Sequence, residues 1–157
     1  MVDPILSSIY SLRSATTELN QTSDRAAQIV QQVEEFLRQS SIGVSARVQF
    51  DGPSPTMQVL QVNSGQVALC GYLEYVRIGE SYRLAVARYE GSRRVELKPW
   101  SDCSRGDKTA SLPKLQELVI ALGKAVEEQV TKARRATDSA AAVLDALKQS
   151  EVGKRNA

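Results

Sequence analysis

The chain has 157 residues, 42% of them apolar and 24% charged, with a net charge of +2 and no histidine. That balance is too apolar for a disordered chain and too nearly neutral to demand nucleic acid or an anionic membrane as partner. The missing histidine excludes Ser-His-Asp and Cys-His catalysis and removes the commonest metal ligand.

The first helix is predicted over 3–42. Asp3 is a good N-cap, and Pro4 suits the first turn, where its missing N–H costs nothing. A 4-3 spacing then runs Ile5, Ile9, Leu12, Thr16, Leu19, Ser23, Ala26, Val30, Val33, Leu37, which is a heptad seam. Thr16 and Ser23 weaken its middle, and Asn20 to Asp24 is the expected place for a bend or break. Gly43 is the expected stop.

Between residues 44 and 99 the apolar period changes from 3.6 to 2. Val44 to Phe50 alternates, and Asp51 to Pro55 reads as a loop. Strands follow over 57–63, 66–78, 81–90 and 93–99, separated by the turns Ser64-Gly65, Gly79-Glu80 and Gly91-Ser92. Two-residue turns containing Gly are strong hairpin signals, so the expectation is a five-stranded antiparallel meander. The turns also set a register. It places Tyr75 opposite Leu84, Leu73 opposite Val86, Val86 opposite Leu97, Leu60 opposite Leu69 and Val62 opposite Val67, all on one apolar face to be covered by the helices. The other face carries Met57, Val59, Cys70, Tyr72, Glu74, Arg83, Tyr89, Arg94, Glu96 and Lys98.

Residues 100–110 read as a polar loop. A second long helix is predicted over 111–152, with Ser111 as cap, Pro113 in the first turn and Gly153 as stop. Its seam includes Leu115, Leu118, Leu122, Ala125, Ala133, Ala136, Ala140, Val143 and Leu147. An antiparallel coiled coil of the two helices would set Leu37 near Leu115, Leu19 near Ala133, Leu12 near Ala140 and Ile9 near Val143. The fold class expected is therefore α+β in a single domain spanning 1–157. In topology alone, such a chain resembles prefoldin-type chaperone subunits.

No segment supplies strong catalytic chemistry. Cys70 and Cys103 are too few for a disulfide framework or a structural zinc site, so no metal or other cofactor is expected. Cys103, in the polar loop, is the more reactive candidate thiol. Glu74 and Glu96 read as solvated charges about 11–12 Å apart at Cα, wide for a cooperating pair. Gly106-Asp107-Lys108-Thr109 lacks the contiguous Gly-Lys-Thr and the earlier glycine of a phosphate loop. The longest apolar run, Val67 to Leu73, cannot span a bilayer, and Met1 to Pro4 shows no leader, so the expectation is a cytoplasmic protein with no membrane partner.

Two surfaces remain. Tyr72, Arg83, Tyr89 and Arg94 on the open face are a candidate binding patch, for protein or for single-stranded nucleic acid. Ile9, Leu12, Leu19, Leu122, Ala133, Ala140 and Leu147 are a candidate assembly seam. Helices of ~55 Å overreach a sheet only ~24 Å wide, so either the helices bend or break or the overhanging seams pair with each other or with another chain, and the mismatch favours assembly. The leading expectation is a non-catalytic oligomerising or adaptor module. Nucleic-acid binding comes second, and a small enzyme of carboxylate, Lys or Tyr chemistry last.

Overall fold

The computed structural model describes residues 3–54, 57, 65 and 68–157. Helix α1 spans Pro4–Gln39 without a break, so the chain does not leave the helix at Asn20 to Asp24. Asp3 caps it as expected, its Oδ1 accepting from Ile5 N at 3.0 Å. The chain leaves the helix through Ser41, at φ 48°, ahead of the Gly43 expected as the stop.

Four strands follow: β1 (Ala46–Asp51), β2 (Leu69–Ile78), β3 (Ser81–Glu90) and β4 (Arg93–Pro99). They form an antiparallel sheet in the order β1-β2-β3-β4. The strand expected over 57–63 lies, apart from its first residue, outside the described residues, as do its pairings with Val67 and Leu69. β1 pairs directly with β2, Ala46 opposite Tyr75 and Val48 opposite Leu73, in the place where the meander would have put the intervening strand. Short-range turn signals cannot show this, because the pairing spans the whole 52–68 connection.

The hairpin β2–β3 keeps the expected register, with Tyr75 opposite Leu84 and Leu73 opposite Val86. The next hairpin does not. Tyr89 faces Arg94 but Arg88 faces Glu96, so Val95 is an extra residue bulged out of the ladder. Leu97 therefore sits opposite Ala87 instead of Val86, and Glu96 and Lys98 move off the open face.

The predicted polar loop is mostly helical. A 3-10 turn over Trp100–Asp102 leads into a short helix, α2, over Arg105–Ser111. Ser104 caps α2, its Oγ accepting from Asp107 N at 3.2 Å. A second 3-10 turn, Leu112–Lys114, opens the last helix, α3, over Leu115–Arg155. Ser111, expected as the cap, is fully buried and accepts from Trp100 Nε1 at 3.1 Å. α3 runs through Gly153, the expected stop.

The main core cluster lies on one face of the sheet, while Cys70, Ala85, Ala87 and Tyr89 are buried on the other. Leu73, Tyr75, Leu84 and Val86 meet Val30 and Leu37 of α1, Leu118 and Leu122 of α3, and Trp100. The helices thus cover the apolar face as the alternation required, α1 over β3 and α3 over β1 and β2. Glu34 fixes α1 to the edge of β3. Its Oε2 accepts from the Leu84 backbone N–H at 3.0 Å, just past the last β3–β4 pair at Ala85 and Pro99. A buried edge donor is thereby satisfied where β4 ends.

Only the sheet-proximal parts of the helices are buried. Residues 4–22 of α1 and 127–155 of α3 are exposed throughout. The two helices do not pack along each other, and the antiparallel coiled coil is not formed within the chain. Sheet width explains this, since each helix follows the strands beneath it. None of the described helices is long and apolar enough to cross a membrane.

Candidate functional site

The face expected to be open is largely buried, with Ala85 and Ala87 fully buried and Glu74 and Tyr89 only 6% and 7% exposed, and the four residues placed on it do not form one patch. Tyr72 and Tyr89 meet edge to face, ring centroids 5.1 Å apart. Arg94 approaches them through Glu74, 3.9 Å from its Oε1. Arg83 leaves the group, its Nε reaching Glu34 at 3.5 Å and its Nη2 reaching Ser101 Oγ at 3.3 Å. In its place stands Arg47, whose guanidinium lies 4.7 Å from the Tyr72 centroid and 4.3 Å from the Tyr89 centroid. Sequence reasoning did not name Arg47, although the alternation of β1 was a signal that could have placed it on this face. Its contact with the tyrosines depends on the β1–β2 pairing, which the sequence did not reveal.

Glu74, expected to be solvated, is 6% exposed. It accepts from the Tyr89 hydroxyl at 3.1 Å. The arrangement is self-satisfied: a buried carboxylate holds a phenol, and a cation covers two aromatic faces. Its chemistry is that of a rigid polar patch.

The seam residues divide by their place on the helices. Leu122 is 1% exposed and belongs to the core. Ile9, Leu12, Leu19 and Leu147 are 41–66% exposed, and Ala133 and Ala140 are exposed beside them. Tyr10, Val143 and Leu144 add to the same exposed apolar surface.

Between α1 and α2 lies a cleft of about 670 Å³, which sequence reasoning missed. Leu19, Ala26, Leu112 and Pro113 line it, with Arg105 and Lys108 on the α2 side. It shares Ala27, Trp100 and Lys108 with a second cavity of about 510 Å³ that continues toward Glu34 and Arg83. The signal was hidden because 100–110 read as loop, whereas α2 supplies the second wall.

The thiols are subdued. Burial, helped by Asp107, pushes the Cys103 thiol up, and its Sγ donates to Pro99 O at 3.3 Å. Burial, helped by Asp51, likewise pushes Cys70 up. Lys98 and Lys108 pull Cys103 the other way but are outweighed. Among the described residues, no group of three or more His, Cys, Asp or Glu side chains gathers to hold a metal ion.

Comparison with protein-family models, with curated proteins and with solved structures finds no match for this chain.

Proposed function

We propose that this chain is a non-catalytic assembly module whose helical arms pair with those of a second copy. The observation that carries the reading is the heptad surface left uncovered on both arms. Contiguous apolar surface of this kind marks an interaction site in a soluble protein. The 4-3 spacing specifies another helix as the partner.

Charge does not oppose a second copy. Both signs are interspersed along the α3 arm, from Glu127 and Glu128 through Lys132, Arg134, Arg135, Asp138 and Asp145 to Lys154 and Arg155. Two such arms laid antiparallel can therefore set opposite charges beside each other in a two-fold dimer. The α1 arm over 4–22 carries only Arg13 and Glu18, so it adds no repulsion. Nucleic-acid binding has less support, because Arg47 already covers the rings on which bases would stack.

Light scattering on the eluting protein tests the reading. The wild type should elute as a dimer or other defined oligomer. Leu12→Lys with Leu147→Lys should give a folded monomer, since both side chains are exposed in the single chain, and its melting temperature should lose the concentration dependence of the wild type. A monomeric wild type, or an oligomer indifferent to the double substitution, would refute it.

A further inference from the structure

We propose that the cleft between α1 and α2 binds a small amphipathic anion, an aryl or acyl group carrying a carboxylate, sulfonate or phosphate. Its volume, about 670 Å³, falls within the ~300–1,000 Å³ typical of small-molecule sites. Leu19 and Leu112 give it apolar walls, and Trp100 is shared with the adjoining cavity. The indole is held in place by its hydrogen bond to the fully buried Ser111. Only 3% exposed, the indole serves as a fixed apolar wall that need not be ordered on binding.

The polar groups select the charge. Lys108 Nζ lies 5.1 Å from the Trp100 ring centroid, and Arg105 donates to the neutral Asn20 Oδ1 at 3.2 Å. Among the described residues, neither cation has a carboxylate within ion-pair distance, whereas Arg88 has two, Asp51 and Asp107. Asp24, across the cleft on α1, is the acidic residue on the described lining. An anionic head therefore belongs at the α2 side, beside Lys108 and Arg105, with the apolar body toward Leu19 and Leu112. Cations already placed over an apolar pocket favour a charged ligand over its neutral analogue.

The site is separate from the assembly seam except at Leu19, which lines both. A helix of a second copy seated in the cleft would exclude the ligand, so the two occupants can be told apart.

The experiment uses the full chain and 8-anilinonaphthalene-1-sulfonate, read by energy transfer from Trp100, the sole tryptophan. N-phenyl-1-naphthylamine serves as the uncharged control. One saturable site per chain is expected. Arg105→Gln with Lys108→Gln should weaken sulfonate binding about tenfold, as the loss of two charge-assisted contacts implies, and leave the neutral probe within about twofold. Ala27→Phe, which fills the space where the two cavities meet, should abolish binding of both. Leu12→Lys with Leu147→Lys should change neither, which separates cleft binding from probe adsorbed on the seams and from failure of the assembly reading. Absence of a saturable site overturns the proposal. So does binding indifferent to the double Gln variant, or binding that falls as protein concentration rises. Should Ala27→Phe lower the melting temperature, the double Gln variant, on partly exposed side chains, decides alone.

Discussion

Glu34→Ala is the perturbation that most directly tests how α1 is held to the sheet. The wild-type carboxylate is 8% exposed and accepts the Leu84 N–H, and Leu84 is itself fully buried. Removing the carboxylate leaves that N–H without its protein acceptor. An orphaned buried donor costs about 1–3 kcal/mol, and the upper half applies because the lost acceptor is charged. The ion pairs to Arg83 and Arg38 add little, because both arginine side chains are more than a third exposed or close to it. The total is about 2–3 kcal/mol, or about 4–12 °C in melting temperature for a chain of this size. Glu34→Gln keeps a carbonyl oxygen in the same place and should cost about 1 kcal/mol. Urea unfolding followed by Trp100 fluorescence gives both values, and hydrogen exchange at the Leu84 amide shows whether the loss is local. Glu34→Ala within about 0.5 kcal/mol of wild type would refute the reasoning, being inside the range of an ordinary surface change. So would Glu34→Gln as damaging as Glu34→Ala, because charge and not the acceptor would then be what matters.

The thiols give a pH prediction. Burial raises the folded-state pKa of Cys103 and Cys70, so at pH 8 iodoacetamide should modify both at least about tenfold more slowly in the native chain than in urea, read by mass spectrometry. By linkage, stability is independent of these groups below the ordinary thiol range. It falls at higher pH, where the unfolded chain ionises first, and keeps falling until the raised folded values are passed; a rise in stability there would reverse the sign. Gly52→Ala should destabilise by about 1–3 kcal/mol in urea titration. Gly52 has φ +96°, and an added Cβ would sit 3.0 Å from Cys70 Cα and from Leu69 O, both backbone atoms. A neutral result would mean that the β1 exit can relax.

Much of the fold was legible because its signals are local. Asp3 and Pro4 start α1, and heptad spacing carries it to Gln39. The Gly79-Glu80 turn pins β2 to β3 with Leu73 and Tyr75 opposite Val86 and Leu84. The bulge at Val95 was not legible, because alternation over seven residues fits either register until Trp100 and the helices claim a face. α2 was missed for a related reason: its seven residues are polar, and a helix that short is stabilised by the Ser104 cap and tertiary contacts, not by an apolar stripe of its own.

The candidate sites follow the same division. Periodicity alone put Ile9, Leu12, Leu19 and Leu147 on the apolar stripes of the helices, and Tyr72, Tyr89 and Glu74 together on one face of the sheet, but not that Tyr89 and Glu74 would be buried there. Tertiary structure decided the rest. It set β1 beside β2 and so laid Arg47 over the tyrosines. It drew Arg83 away to Glu34. It held the helices over different strands, which leaves the seams open and walls a cleft with α2. Periodicity fixes which side of an element is apolar, because that depends on neighbours three or four residues away. What covers that side depends on pairings across tens of residues, and those are settled only when the whole chain packs.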